Sequence, residues 1–259
     1  MTVVFITGAS SGIGYATALA FAKNGTHVAG TARRTERLLQ LQNEINALPA
    51  GHGEFLPLTG DVRDADSMNR AISQTVERFG RVDVVVANAG LGQRGGIVDS
   101  EWADIETLLR TNMDGVLHTV RAAVPEMQKS GGGHIIFISS IVYNMVSPYA
   151  ATYAASKAFV SSIAASLRLE LSADHIDVTD MLIGRTESEF SDKRLGQAGY
   201  GEKAGRIPRM TAEQVAEAIL KASHSKRKRV AIRWFDRIFM MANLLVPNVI
   251  GNRAMRQYK

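Results

Sequence analysis

A glycine-rich turn between a short apolar run and a helix constrains the fold of this chain more than any other feature of its sequence. Residues 3–7 read Val-Val-Phe-Ile-Thr, an apolar and β-branched run that predicts a buried strand. Gly8, Gly12 and Gly14 follow at once, and a helix is predicted over residues 13–24. A strand that turns directly into a helix is the first half of a β–α–β unit, so we expect a parallel sheet.

Strands and helices alternate along the rest of the chain. Residues 187–210 show no periodicity and are interpreted as a loop near the active site. The pattern predicts an α/β fold, a Rossmann-like doubly wound parallel sheet in three α/β/α layers, with a single catalytic domain over residues 1–225 and an extension over residues 226–259. The further predicted strands are 27–32, 54–58, 82–87, 134–139, 176–182 and 229–233, and the further predicted helices are 35–48, 65–79, 102–128, 151–171 and 211–222.

Composition narrows the classes of function. The chain of 259 residues has no cysteine, which excludes disulfides, a thiol nucleophile and cysteine-ligated zinc. Its six histidines are scattered without the spacing of metal ligands, so no metal site is predicted. No signal peptide precedes the first strand, and no apolar run reaches the roughly 18 residues that span a bilayer. We therefore expect a cytoplasmic location.

The positive charge of the chain is concentrated in its C-terminal extension. Residues 226–259 carry nine Lys or Arg and one acid, Asp236, whereas the remaining chain carries 21 bases and 24 acids. A nucleic-acid enzyme would carry its basic patch around the active site, so no nucleic-acid partner is predicted. Residues 234–250 are apolar on nearly every helical face. Three interpretations stay open: packing on the protein or a partner subunit, covering the substrate pocket, or peripheral contact with a membrane.

The glycine-rich turn has a chemical purpose as well as a structural one. Glycines after a strand let a pyrophosphate approach the backbone and the N-terminus of the following helix, which predicts dinucleotide binding. Sheets that prefer NAD place an acid at the end of the second strand, but residues 31–34 here read Thr-Ala-Arg-Arg. A guanidinium suits a 2′-phosphate, so NADP is predicted, with Arg33 as the main contact and Arg34 as the second. The alternative is that both arginines are solvated loop charges.

Tyr153 and Lys157 lie one helical turn apart and share a helix face. A free tyrosine has a pKa of about 10, and a cation nearby favours the phenolate and lowers that pKa. The pair therefore predicts proton transfer to or from an alcohol or carbonyl oxygen. The alternative is an exposed pair without a catalytic role.

These motifs form an ordered set with Asn88-Ala89-Gly90, Asn112 and Ser139-Ser140. Over residues 1–190 the set resembles the short-chain dehydrogenase/reductase family in order and spacing. The resemblance implies that Tyr153 is the general acid/base and that Lys157 lowers its pKa and holds the nicotinamide ribose. It also implies that Ser140, rather than Ser139, orients the substrate oxygen, and that Asn112 supports a water relay behind Lys157.

The resemblance further implies a set of cofactor contacts and a mode of assembly. The sequence departs from the family after the strand at 176–182, where Ile183 precedes Gly184 in place of the usual proline, and it lacks the glycine-rich ending of the tetrameric fatty-acid-synthesis reductases. The helices at 102–128 and 151–171 resemble those through which family members pair, so we expect a homodimer before a tetramer. Besides Tyr153 and Lys157, the implied cofactor contacts are Gly8, Ser10, Ser11, Gly12, Ile13, Gly14, Arg33, Arg34, Asp61, Val62, Asn88, Ala89, Gly90, Gly184, Thr186 and Ser188.

The sequence leaves two classes of function open. The first is an NADP(H)-dependent oxidoreductase that interconverts a carbonyl and an alcohol. Met145, Val146, Tyr149 and Phe190 predict an apolar wall for its pocket, hence a lipid-, steroid-, retinoid- or aromatic-like substrate. The second is a non-catalytic NADP-binding sensor or scaffold, against which the intact Ser, Tyr, Lys and Asn count. A dehydratase or epimerase would usually alter the Tyr–Lys pair.

Overall fold

The computed structural model describes residues 2–187, 189, 190, 193–196 and 208–255. Nine strands lie in this part of the chain: β1 Val3–Thr7, β2 His27–Ala32, β3 Phe55–Thr59, β4 Val84–Ala87, β5 Gln93–Arg94, β6 Gly133–Ser140, β7 Ile176–Ile183, β8 Leu195–Gly196 and β9 Arg229–Ala231. Its α-helices are α1 Gly12–Lys23, α2 Thr35–Asn46, α3 Ala65–Phe79, α4 Trp102–Leu109, α5 Gly115–Lys129, α6 Ala151–Glu170, α7 Ala212–Ser223, α8 Trp234–Leu245 and α9 Pro247–Met255.

Seven strands form one parallel sheet in the order β3-β2-β1-β4-β6-β7-β9. The predicted doubly wound α/β fold is therefore confirmed. Strand order reverses between β1 and β4, which is the position where open α/β sheets bind their ligands. Because all seven strands are parallel, Thr7, Ala87 and Ser140 end at one edge of the sheet, and the residues that follow them meet there.

Two apolar layers cover the sheet because neighbouring strand residues point to opposite faces. Val4 and Ile6 of β1 belong to the cluster shared with α1, α2 and α7. Phe5, between them, belongs to the cluster shared with α3, α5 and α6. All three side chains are buried, so the sheet edge that carries the site rests on a packed base.

The predicted helix over residues 102–128 is interrupted. Helices α4 and α5 are joined by a π-helical turn over Arg110–Asp114, where one extra residue is accommodated in the helix. The predicted loop over 187–210 also contains structure in its described part. Within it, β8 pairs with β5 as a separate two-stranded sheet.

The C-terminal extension begins inside the sheet and then leaves it. Strand β9 pairs with β7 as the last strand, and α8 and α9 follow. Asn243 of α8 donates a 2.5 Å hydrogen bond to the carbonyl of Asn144, in the 3₁₀ turn after β6. No helix in the described ranges is both long and apolar enough to span a membrane.

Candidate active site

The glycine-rich turn is shaped so that side chains are excluded from its inner surface. Gly8 has a φ of +72° and donates a hydrogen bond of 2.8 Å to the carbonyl of Thr31. A Cβ at Gly14 would overlap the Gly8 carbonyl and lie 2.6 Å from the Asn88 side-chain nitrogen. The turn therefore needs glycine at both positions and presents bare backbone at the N-terminus of α1, as a bound pyrophosphate requires.

The threonine at the end of β1 joins this turn to the next strand. Its hydroxyl accepts hydrogen bonds from the backbone nitrogens of Asn88 and Ala89, at 3.1 and 3.0 Å. The Asn88 side chain donates in return to the Thr7 carbonyl at 2.8 Å. These bonds fix the segment Asn88-Ala89-Gly90 against the turn, where the resemblance places it along the cofactor.

Tyr153 and Ser140 meet at the carboxyl edge of the sheet. Burial raises the pKa of Tyr153 above its ordinary value, and the proximity of the Ser140 hydroxyl opposes that shift. That hydroxyl donates a 3.2 Å hydrogen bond to the Ile183 carbonyl. Ser139 points elsewhere, because its hydroxyl bonds to the Lys157 carbonyl at 3.1 Å and to Ser161 Oγ at 2.8 Å. The geometry thus brings Ser140, and not Ser139, to the tyrosine.

Lys157 lies behind the tyrosine and is itself buried. Its ammonium donates a 2.8 Å hydrogen bond to the Ile138 carbonyl and lies 6.0 Å from the centre of the Tyr153 ring. Burial lowers the pKa of Lys157 to about 8, while the negative charge of Asp180 opposes that shift. The predicted lowering of the Tyr153 pKa by this lysine is not what the structure shows, since burial of the phenol dominates.

Asn112 lies in the π-helical turn and links three segments of the site. Its side chain accepts a hydrogen bond from the Leu91 nitrogen at 2.7 Å and donates to the Leu91 carbonyl at 2.9 Å and to Ser156 Oγ at 3.0 Å. A Cβ at Gly90 would lie 3.3 Å from Asn112 Oδ1 and 3.5 Å from Lys157 Nζ. Asn112 and Lys157 therefore approach the same glycine.

The two arginines after β2 have different surroundings. Arg34 donates hydrogen bonds to Ser11 Oγ at 2.7 Å and to Ser10 Oγ at 3.1 Å, so its guanidinium lies over the glycine-rich turn. Arg33 is exposed, and its charge acts on the carboxylate of Asp61. For Asp61, burial opposes ionisation, but the hydrogen bonds from Arg63 prevail and hold its pKa below the ordinary value. The structure thus places Arg34, which the sequence ranked second, against the turn.

The structure also locates three further residues that were predicted to contact the cofactor. Ile13 packs against the core beneath the turn, and Val62 packs against Gly115 of α5. Thr186 donates a 3.2 Å hydrogen bond to the carbonyl of Gly184 and pairs with Met210. Ser188 lies outside the described residues.

The extension reaches the site at Gly184. A Cβ there would overlap Arg233 Nη2 and lie 2.7 Å from Asp236 Oδ2, and these two side chains form an ion pair of 2.8 Å at the start of α8. In this chain, the residue after Ile183 is therefore a glycine that accommodates the extension. Sequence analysis did not anticipate this contact.

Sequence reasoning also missed two side chains near the catalytic pair, Arg94 and Asp180, whereas Phe190 was predicted in the apolar wall of the pocket. The positive charge of Arg94 lowers the pKa of Tyr153, in opposition to burial. Phe190 places its ring 5.8 Å from the ring of Tyr153. Asp180, fully buried on β7, forms an ion pair of 3.3 Å with Arg229 of β9. Arg94 could not be found from the sequence because no motif marks it, but Asp180, an acid in the middle of the strand at 176–183, is a signal that was available.

Comparison with known proteins agrees with this geometry. A family model described as short chain dehydrogenase matches residues 2–198. The chain belongs to the short-chain dehydrogenase/reductase family. The dehydrogenase/reductase SDR family member 7B of Xenopus laevis is 31% identical over 238 residues, covering 89% of this chain and 73% of that protein. Sulfoacetaldehyde reductase 2 of Chromohalobacter salexigens is 35% identical over 221 residues, covering 84% and 86%.

Solved structures of two dehydrogenases superpose on most of this chain. An alcohol dehydrogenase of Thermococcus sibiricus, complexed with 5-hydroxy-NADP, has a TM-score of 0.78 and 27% identity and covers 89% of this chain and 95% of its own. A serine dehydrogenase complexed with NADP⁺ has a TM-score of 0.79 and 29% identity, with coverage of 88% and 92%. This short-chain dehydrogenase is therefore an oxidoreductase whose fold binds a nicotinamide cofactor, and the bare turn of Gly8 and Gly14 fits the cofactor's pyrophosphate.

Proposed function

We propose that this short-chain dehydrogenase is an NADP(H)-dependent reductase of an apolar carbonyl compound, acting reversibly on the corresponding alcohol. The observation that carries the cofactor choice is the position of Arg34, which donates to Ser11 and Ser10 directly over the glycine-rich turn. No acid stands at residues 31–34 to bind a ribose 2′-hydroxyl. A forked guanidinium at this point suits a 2′-phosphate, and Arg33 adds a second charge beside it.

The nicotinamide would supply the hydride, and the side chains of this chain would handle the substrate oxygen. Ser140 would turn its hydroxyl from the Ile183 carbonyl to that oxygen and hold it beside Tyr153, which lies close to it. A phenol with a raised pKa keeps its proton at neutral pH, so Tyr153 is in the acid form that reduction needs. The Lys157 ammonium would stabilise the phenolate that remains after proton transfer.

The apolar substrate follows from what lies around Tyr153. The ring of Phe190 lies 5.8 Å from that of Tyr153, and Met145 and Val146 belong to the apolar wall that the sequence predicts. A carbonyl compound with a hydrocarbon body would replace water against these side chains, which favours binding.

A second candidate substrate class is favoured by Arg94. Its charge acts on Tyr153, so a carbonyl compound with an anionic group would find a cation near the reacting oxygen. One relative is named a sulfoacetaldehyde reductase and another, from Thermotoga maritima, a 3-oxoacyl-[acyl-carrier-protein] reductase.

The test is the loss of NADPH absorbance with a panel of carbonyl compounds that differ in apolar length and in charge. Turnover with long apolar ketones or aldehydes supports the main proposal, and turnover confined to anionic aldehydes supports the second. Saturable NADPH binding without turnover of any compound would instead support a sensor or scaffold. Faster turnover with NADH at equal concentration would overturn the cofactor choice.

A further inference from the structure

Helix α8 buries polar residues and exposes large apolar ones, which is the reverse of an ordinary surface helix. Its buried residues include Asp236 and Asn243, which are polar, whereas Trp234 and Leu245 are 72% and 81% exposed. Surface helices of globular proteins carry the opposite pattern, with apolar residues inward. The outward face of α8 therefore needs an apolar neighbour that the described chain does not supply.

The inward polar contacts fix this orientation. Asp236 is ion-paired with Arg233 at 2.8 Å, and Asn243 donates to the Asn144 carbonyl at 2.5 Å. The Asn243 side-chain oxygen also accepts a 3.4 Å hydrogen bond from the Val146 nitrogen. Rolling the helix to bury its apolar side would break these buried bonds and leave their polar groups unpaired, which is costly.

The exposed apolar residues of α8 and α9 make up a surface that we call the docking face. Trp234, Ile238, Met241 and Leu245 recur at helical spacing on one side of α8. Helix α9 extends this surface, since Gly251 packs against Val146 and leaves Val249 outward. The docking face consists of Trp234, Ile238, Phe239, Met241, Leu244, Leu245, Val246 and Val249.

The exposed charges of the extension that carries the docking face are positive over residues 226–255. The only acid within residues 226–255 is Asp236, which is buried and paired with Arg233. The exposed side chains of this segment therefore carry no negative charge. Its exposed cations include Arg227, Lys228, Arg237 and Arg253.

The sign of this charge decides between two kinds of apolar neighbour. A second copy of the chain docking face to face would bring identical cationic borders together, because a two-fold interface pairs each patch with itself. An anionic bilayer surface offers an apolar interior beneath a layer of negative headgroups, which matches an apolar face with a basic border.

We propose that the docking face binds the surface of anionic membranes, with α8 and α9 lying in the interface and the segment after Ser140 held beside it. The apolar residues would enter the boundary between headgroups and acyl chains, and Arg227, Lys228 and Arg253 would contact the headgroups. The proposal concerns the extension and does not depend on which carbonyl compound is reduced.

The test is flotation of the full-length protein with phosphatidylcholine vesicles that contain either no anionic lipid or about 30% phosphatidylserine. The main variant is Leu245→Glu, since that residue is 81% exposed and its replacement leaves the packed side of α8 intact. Leu39→Glu is the matched control, because it makes the same exposed change on α2, beside the opposite edge of the sheet. A double variant, Arg227→Gln with Lys228→Gln, tests the charged border.

Wild type and Leu39→Glu should float with the phosphatidylserine vesicles, and Leu245→Glu should not. The double variant should bind about tenfold or more weakly, because each cation near the surface contributes about fivefold. Binding should also weaken as salt is raised. Failure of wild type to float, or equal flotation of Leu245→Glu, would overturn the proposal. So would a wild-type dimer that Leu245→Glu converts to a monomer without lipid, since the docking face would then belong to a second copy.

Discussion

Glu189 forms an ion pair with Arg34 at 3.1 Å, across 155 residues of sequence. The same guanidinium is the one that we propose for the 2′-phosphate of NADP(H). The pairs with Lys193 and Arg34 lower the pKa of Glu189, so its carboxylate is charged at neutral pH. The 2′-phosphate of NADP(H) would therefore compete with the Glu189 carboxylate for one cation.

Replacing Glu189 with glutamine should tighten NADPH binding. A partly exposed ion pair is worth about 0–1 kcal/mol, so the gain should be at most about fivefold. NADH affinity should be unchanged because it carries no 2′-phosphate. Fluorescence titration of both cofactors measures this, with Glu187→Gln in the same segment as the control. Equal tightening of NADH would show that Glu189 acts on some other part of the cofactor.

Removing the arginines after β2 should weaken NADPH selectively. Arg34→Ala and Arg33→Ala should each lose about 1.5–3 kcal/mol of NADPH binding, the usual worth of a charged hydrogen bond, with a much smaller loss for NADH. Arg37→Ala is a suitable control, because Arg37 lies on α2 and its ion pair with Glu189 is long, at 4.0 Å. Matching losses for the two cofactors in either variant would contradict a role in reading the 2′-phosphate.

The catalytic assignment predicts a large effect from one hydroxyl. Tyr153→Phe should retain NADPH binding and reduce turnover by about 100-fold or more, since general acid–base catalysis contributes roughly 10² to 10⁴. Tyr143→Phe, which removes a hydroxyl that accepts a 3.2 Å hydrogen bond from Arg229, should keep most activity. Steady-state rates with NADPH distinguish the two. Near wild-type turnover of Tyr153→Phe would remove this tyrosine from the mechanism.

The buried lysine predicts how reduction depends on pH. The ammonium form of Lys157 is the one that stabilises a phenolate, and its pKa of about 8 means that this form is lost as pH rises through that value. We therefore expect kcat/KM for reduction to be level below about pH 8 and to fall above it. The negative charge of Asp180 favours the ammonium form, so Asp180→Asn should move the fall to lower pH.

Asp177→Asn is the control for this profile, because Asp177 lies on the same strand and pairs with the exposed Lys226 at 3.1 Å. Its profile should coincide with that of wild type. If the pH profile of kcat/KM of the Asp180→Asn variant has the same midpoint as that of wild type, Asp180 does not act on Lys157.

Helices α5 and α6 are expected to form the contact between two copies of the chain. The outer side of α6 exposes small residues such as Ala155, Ser162 and Ala165, which allow another helix to approach closely. Light scattering at micromolar concentration should therefore give a dimer, and Ser162→Arg should convert it to a monomer. A monomeric wild type would contradict this prediction.

The sequence predicted the features that depend on local pattern. Val4 and Ile6 alternate with Phe5, and the glycines after Thr7 leave few alternatives to a β–α turn, so the first unit and the sheet built on it followed directly. The residues of the catalytic group were found because the family keeps their spacing. The π-helical turn over Arg110–Asp114 was missed because one additional residue in a helix hardly alters the apolar spacing on either side of it.

Contacts between distant segments were beyond a reading of the sequence. Arg34 and Glu189 meet only because the chain segment after β7 returns to the glycine-rich turn. The sequence shows that the extension is apolar. The side of α8 that faces the protein is set by Asn243 and Asp236, two polar residues that interrupt the apolar run in the sequence. Burial of the phenol, which reverses the expected shift of the Tyr153 pKa, is likewise a property of the assembled site.

Gly184 touches both the cofactor edge of the sheet and the Arg233–Asp236 pair at the start of α8. A ligand that displaces Gly184 must therefore also displace the start of α8, the helix that carries the docking face. Thermodynamic linkage makes that coupling reciprocal: whatever factor cofactor binding applies to lipid affinity, lipid binding must apply to cofactor affinity. Because Gly184 has no side chain, cofactor binding would then change the affinity of the protein for membranes, and membrane binding would change its affinity for the cofactor.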